Sequence, residues 1–187
     1  MLYRVQDDRF SPMSNGAPIE TSRLQLILLS PEALQMLRDQ DHEGASRAQG
    51  FDFSADFLHS VNDVFLTRHL EGLRKRPLTP GWFVRAVLQK DDDLLIGHCG
   101  FHGCPEDVGR AEIGYTIFAP YRRRGYAAEA AQGLVEWARA QGSRVVVAAI
   151  SSNNASSIGV VRRLGFQQTG IQGNDVDGEE FVFELSL

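Results

Sequence analysis

Cysteine is nearly absent from this chain. Cys99 and Cys104 are the only two in 187 residues, separated by one short strand-and-turn segment, so there is no disulfide framework and reduced thiols fit better. The apolar runs fall far short of the ~20 residues a membrane helix needs, and no charged-then-apolar leader opens the sequence. Together these absences lead to the expectation of a cytoplasmic protein with no membrane partner. A basic surplus is also missing: Lys and Arg number 19 against 24 Asp and Glu, a formal net charge of −5. Neutralising phosphates supplies most nucleic-acid affinity, so this balance argues against a nucleic-acid partner and leans towards cationic substrates. No internal repeat or low-complexity tract occurs. Two phosphate-binding signatures are lacking as well: no strand is followed by G-x-G-x-x-G, and no loop ends in Gly-Lys-Ser/Thr.

What is present is an ordinary globular composition, 43% hydrophobic and 23% charged, long enough to bury one core. The most informative stretch is Ala111 to Ala131. Ile113, Tyr115, Thr116, Ile117 and Phe118 favour a strand, which Ala119-Pro120 ends because proline has no N–H for a ladder. Beyond the turn, Ala127, Ala130, Ala131, Leu134, Val135 and Ala138 recur at three- and four-residue spacing, the apolar face of a helix. Between them lies Arg122-Arg123-Arg124-Gly125-Tyr126-Ala127. Gly125 permits a tight turn and close approach, and the unpaired N–H groups of the first helical turn favour an anion.

Arg122-x-x-Gly125-x-Ala127 resembles the R/Q-x-x-G-x-G/A motif with which GNAT acetyltransferases hold the pyrophosphate of acetyl-coenzyme A. A second block, Asn154-x-x-Ser157 followed by Arg162-Arg163-Leu164-Gly165-Phe166, resembles the closing helix of the same family. The likeness is especially to the branch similar to the ribosomal-protein acetyltransferases RimJ and RimL. Thr21-x-Arg23-Leu24-x-Leu26 resembles that branch's opening strand. The resemblance runs from about Glu20 to the C-terminus. It implies an α/β (α+β) GNAT fold: a mixed, mostly antiparallel central sheet, a parallel pair at the coenzyme cleft, and helices on both faces. Residues 19–187 would form the single acetyltransferase domain behind an N-terminal extension, 1–18. It further implies acetyl-CoA as cosubstrate, no metal, and direct transfer to a primary amine, either a protein N-terminus or a small molecule such as an amino acid, polyamine or antibiotic. A non-catalytic acyl-CoA-binding or sensing module is the alternative. A homodimer is open, since relatives often dimerise.

Within that frame Arg122, Arg123, Arg124, Gly125, Tyr126 and Ala127 are the expected pyrophosphate site, and Asn154 a further coenzyme contact. Ile117 and Phe118 would offer main-chain groups to the pantetheine, as in strand addition. Glu112 is the candidate general base: it opens the strand entering the cradle, shares a face with Gly114, Thr116 and Phe118, and Ala111-Glu112-Ile113 matches the base position of histone-type members. A strand-end carboxylate paired with Arg110 is the plainer alternative. Many relatives carry an acidic tyrosine seven residues after the motif asparagine, but here that residue is Val161. In the RimL-like branch the motif serine, Ser157, takes that part; as plain helix residues, Asn154 and Ser157 would serve as caps. Asp175, in the last turn, is a reserve base. His98-Cys99-x-x-His102-x-Cys104 invites a metal, yet Cys99 would oppose the other three on an extended strand, so zinc is not expected; Gly97, Gly100 and Gly103 point to a twisted or bulged strand.

The remaining punctuation predicts a strand at Leu24 to Leu29 and a helix capped by Ser30 and reaching about Asp39. A loop follows over Asp41 to Gly50, then a helix or helix pair from Ser54 to about Arg74 with Phe57, Val61, Val64, Phe65 and Leu66 inward. Strands are expected at Trp82 to Gln89, Leu94 to Cys104, Ala111 to Phe118 and, parallel to the last, Arg144 to Ile150. Asn154 to Leu164 reads as a helix, and Phe166 to Ile171 and Phe181 to Leu187 as the closing strands. Arg74-Lys75-Arg76 and Arg162-Arg163 read as helix-end charges on solvated faces.

Overall fold

A computed structural model describes residues 16–105, 109–174 and 178–187. Eight strands form one sheet: β1 (Ile19–Glu20), β2 (Leu24–Leu28), β3 (Val84–Gln89), β4 (Leu95–Phe101), β5 (Arg110–Ile117), β6 (Val145–Ser151), β7 (Gln167–Asn174) and β8 (Gly178–Ser186). Their spatial order is β1-β2-β3-β4-β5-β6-β8-β7, antiparallel throughout except for the parallel β5–β6 pair. The mixed sheet with one parallel pair follows the sequence expectation. β8 lies between β6 and β7, so the chain overshoots before turning back.

The helices are α1 (Pro31–Arg38), α2 (His42–Gln49), α3 (Ala55–Ser60), α4 (Asp63–Lys75), α5 (Tyr126–Ala140) and α6 (Ala155–Arg163). Caps explain their starts. Ser30, Asp41, Ser54, Asn62 and Asn154 each accept a bond from the N–H three residues on. The loop expected over Asp41 to Gly50 is instead α2. Its polar sequence hides it, but Asp41 caps it at 2.8 Å and Gly50, at φ +85°, ends it. Ser54 does open a helix pair. Val64, however, points out, 66% exposed, because α4 starts afresh at Asn62 and buries Leu66, His69, Leu70 and Leu73. Trp82 is fully buried in a 3₁₀ turn, Pro80–Trp82, just ahead of β3.

The sheet carries a core on each face. On one, α5 and α6 pack over Leu26, Val87, Ile96, Ile113, Val146 and Phe183; on the other, α1 to α4 pack over Val84, Ala86, Leu88 and Leu95. One charged side chain crosses the first core. Arg85 is wholly buried in β3, where it donates to the carbonyls of Ala17, Leu26 and Gly81 and stacks 5.4 Å from the Trp137 ring; burial lowers its pKa to about 10. Among the described residues no helix is long and apolar enough to cross a membrane.

Candidate active site

The sheet opens where β5 leaves β6. They are paired only over Arg110–Glu112 and Val145–Val147; beyond that β6 continues along β8 and β5 along β4. At the ends of the β4–β5 ladder His102 N–H bonds to the Glu112 carbonyl (3.0 Å) and Phe118 N–H to that of Ile96 (2.9 Å). Alternate residues of an antiparallel strand bond the same neighbour, so the main chains of Gly114, Thr116 and Phe118 face β4, and those of Tyr115 and Ile117 face the opening. The Phe118 carbonyl also accepts from Tyr121 N–H. Phe118, expected at the open edge, is therefore bonded within the protein and its ring is buried; Tyr115 takes that place. The Ile117 carbonyl accepts from Arg122 Nε at 2.8 Å, leaving its N–H towards the opening.

Two cavities meet at this opening. The larger, about 730 Å³, is lined by Ile117, Tyr121, Arg122, Arg123, Gly125, Tyr126, Ala127 and Ala128, with Ser156, Val160 and Arg163 of α6 opposite. It exposes the start of α5. Gly125 is the N-cap in the left-handed region (φ +85°) with no side-chain cap, so the first-turn N–H groups face the cavity beside three guanidinium-bearing residues. An anion such as a pyrophosphate fits this chemistry. Arg163 is exposed, as expected of a solvated face, and also borders this cavity, while Arg162 lies 5.9 Å from the Phe183 ring. Arg124 is not on it; its carbonyl accepts from Arg23 Nη1.

The opening strand holds that helix start in place. Glu129, in the first turn of α5, accepts from Thr21 Oγ1, from Arg23 N–H and from Arg23 Nε, each at 2.7 Å, and the Arg23 guanidinium lies 4.5 Å over the Tyr126 ring. Burial would raise the Glu129 pKa, but these bonds outweigh it and hold the carboxyl below its usual range. Tyr126 also donates to Gln89 Oε1 at 3.2 Å. The Thr21-x-Arg23 pattern therefore has a mechanical role that its linear position concealed.

The second cavity, about 460 Å³, lies towards α3 and α4 and is lined by Ser60, Phe65, His69, His98, His102, Gly114 and the end of β6. Tyr115, Thr116, Asn154 and Ser157 line both cavities. Asn154 Oδ1 caps the Ser157 N–H (3.1 Å), and the Ser157 carbonyl accepts from Tyr115 Oη (3.3 Å). Burial raises Tyr115 to about 12, keeping it protonated. Val161, which replaces the usual tyrosine, is completely buried.

Glu112 pairs with His102, Nδ1 to Oε1 at 2.9 Å, while Arg110 pairs with Glu184 at 2.7 Å. The His102 hydrogen bond holds Glu112 below its ordinary range despite partial burial. His69 and His98 sit among Phe57, Phe65, Phe83 and Phe118, and burial lowers them to about 3 and about 4. Cys99 is buried on the opposite face, its thiol pushed up to about 12 by desolvation and unsuited to act as a thiolate. The register of β3 against β4 shifts between Val87 and Leu88, opposite Gly97 and Leu95, so the irregularity lies beside the first of the three glycines, and the pairing at Gly100 is regular. Among the described residues no cluster of three metal-ligating side chains occurs. Asp175 lies outside the described residues.

The acetyltransferase (GNAT) domain family matches residues 23–167. The chain belongs to the GNAT acetyltransferase family. Its relatives include the Bacillus subtilis N-acetyltransferase YjdG, 32% identical over 152 residues, which cover 79% of this chain and 88% of YjdG. A Pseudomonas aeruginosa L-methionine sulfoximine/L-methionine sulfone acetyltransferase is 55% identical over 68 residues, 35% of this chain and 40% of that protein. In fold, this GNAT acyltransferase resembles the ribosomal-protein-S5-alanine acetyltransferase of Vibrio fischeri (TM-score 0.63, 17% identity, 91% and 96% of the two chains). It also resembles the microcin C7 self-immunity acetyltransferase MccE solved with acetyl-CoA and AMP (TM-score 0.60, 15% identity, 89% and 93%).

Proposed function

We propose that this GNAT enzyme transfers acetyl from acetyl-coenzyme A to a primary amine by direct attack, residues 19–187 acting as one catalytic unit. The observation that carries the reading is the parting of β5 from β6 beside the uncapped start of α5. An open strand edge runs straight into an anion cradle, the shape an amide-bearing chain ending in a pyrophosphate requires. The N–H groups of Tyr126, Ala127 and Ala128 take the pyrophosphate, with Arg122, Arg123 and Arg163 adding charge. Arg124 serves instead to lock the turn onto Arg23. Tyr115 and Ile117 offer main-chain groups to the pantetheine amides. The thioester then comes to the junction of the cavities, beside Thr116, Asn154 and Ser157, and the amine enters from the smaller cavity. Ser157 donates a proton to the leaving thiolate, and the Glu112 side of the cavity serves deprotonation of the amine.

A small-molecule acceptor has specific support in the 55% identity shared with an enzyme named for amino-acid analogues. We therefore expect acetyl-CoA consumption with free amines, methionine sulfone among them, to exceed that with short peptides of varied N-termini. Tight acetyl-CoA binding with no turnover on any amine would instead identify a binding module.

A further inference from the structure

We propose that His102 takes the proton from the acceptor amine, and that Glu112 is a positioning residue acting through it. This rests on the acetyl-transfer reading above and names the group that meets its substrate. His102 follows β4 directly opposite Glu112, and the main-chain bond between them puts both side chains on the α3–α4 side of the sheet. Carboxylate oxygens only accept, so the 2.9 Å contact fixes the proton on Nδ1; Nε2 of the neutral ring is then a bare acceptor. Nε2 lies over Gly114, where an added Cβ would come within 2.8 Å of it, so the ring occupies space that only glycine leaves open. Thr116, at the junction of the cavities, is one residue pair further along the same face, about 7 Å away by strand rise. That gap suits an amine between base and thioester.

The alternatives on this wall are poorer. Among the described residues lining the acceptor cavity there is no Asp or Glu; Glu112 is outside that lining and reaches it through Nδ1 of His102, which is in it. His69 Nδ1 and His98 Nε2 are sealed from solvent without partners, and burial depresses both rings. Among the described residues, Arg68 and His69 of α4 and Arg110 of β5 act on the dyad, and Glu71, Lys75, Arg76 and Cys104 line a further cavity that His102 borders.

In the step proposed, Nε2 accepts one proton from the ammonium group and the freed nitrogen lone pair attacks the thioester carbonyl carbon. The C–N bond forms, the C–S bond breaks, Ser157 gives its hydroxyl proton to the departing thiolate, and the second nitrogen-bound proton replaces it on the Ser157 oxygen. The imidazolium returns its proton to water. One ammonium and one thioester thus become one amide, one thiol and one proton.

His102→Asn keeps an amide donor for Glu112 but removes the nitrogen over Gly114. With an amine protonated at neutral pH, kcat/KM should fall ~10²-fold or more, acetyl-CoA affinity should hold, and the deficit should narrow as pH rises. His102→Ala should regain part of the loss with added imidazole. Glu112→Gln should lose less, with the loss falling on kcat while KM and acetyl-CoA affinity hold, because the ring keeps its nitrogen but not the group that orients it. Wild-type kcat/KM in His102→Asn alongside an inactive Glu112→Gln would overturn the proposal and make Glu112 itself the base. Acetyl-CoA binding without turnover by the wild-type protein would refute the acetyl-transfer reading beneath it.

Discussion

At the scale of single residues, Gly125 carries the strictest requirement in the cradle. Its φ of +85° lies in the left-handed region, and a Cβ there would stand 3.4 Å from the Arg23 guanidinium that locks the turn. A β-branched side chain at such a φ costs at least ~1–2 kcal/mol and also covers the first-turn N–H groups. Gly125→Val should therefore weaken acetyl-CoA binding by about tenfold or more while the protein stays folded. Titration calorimetry alongside thermal melting checks this, and unchanged affinity in a folded variant would remove the cradle from the coenzyme site.

Among elements, the decisive relation is between β2's approach and α5. A helix start that must hold an anion cannot cap itself with a side-chain acceptor pointing into the same space, and Gly125 leaves it uncapped. Its placement comes from outside, through Thr21 and Arg23 on Glu129. Arg23 is 46% exposed and Glu129 15%, so solvent screens the ion pair and the hydrogen bonds matter more. Glu129→Gln, which keeps size but gives up charge, should cost about 1–2 kcal/mol of stability and loosen acetyl-CoA binding severalfold, although the side chain is not on the cavity wall. Denaturant unfolding and coenzyme titration on the same variant test the coupling; a stability loss with unaltered affinity would show that the clamp does not position the cradle.

For the molecule as a whole, the α1–α4 face buries two imidazoles that must stay neutral. His69 and His98 titrate at about 3 and about 4 in the fold against 6.5 in the open chain. Below pH 6.5 the unfolded state therefore binds more protons than the native state, and stability falls as pH falls, down to the folded values. A tenfold difference in proton affinity between the two states is worth about 1.4 kcal/mol, so the pair weakens the fold by a few kcal/mol between pH 7 and 4. Glu112 and Glu129, held below their usual range, add their losses only below about 4.5. Stability measured from pH 7 to 5 thus isolates the imidazoles: wild type should decline across that window, whereas a folded His69→Gln/His98→Gln double variant should be nearly flat. Equal slopes would show that the two rings are not buried neutral.

Much of this was readable along the chain because it depends on neighbours in sequence. Strand-then-proline, arginines, a glycine and an apolar helical period lie within Ala111 to Ala131, and caps such as Ser30 and Asn154 act on N–H groups three residues away. Those local constraints determined the strand that becomes β5, the glycine-led start of α5 and the caps. The motifs built on them carried the likeness to the family and, with it, the mixed sheet with its parallel pair. α2 escaped the same reading because its His42–Gln49 composition is polar and only its two caps mark it. Tertiary structure alone decided the register that sets His102 opposite Glu112, the parting of β5 from β6 that exposes Tyr115, the turn of Arg163 towards the cradle, and the clamp of Thr21 and Arg23 on a glutamate more than a hundred residues away. Each depends on which strands become neighbours and where their pairing stops, and that is settled by packing both faces of the sheet at once.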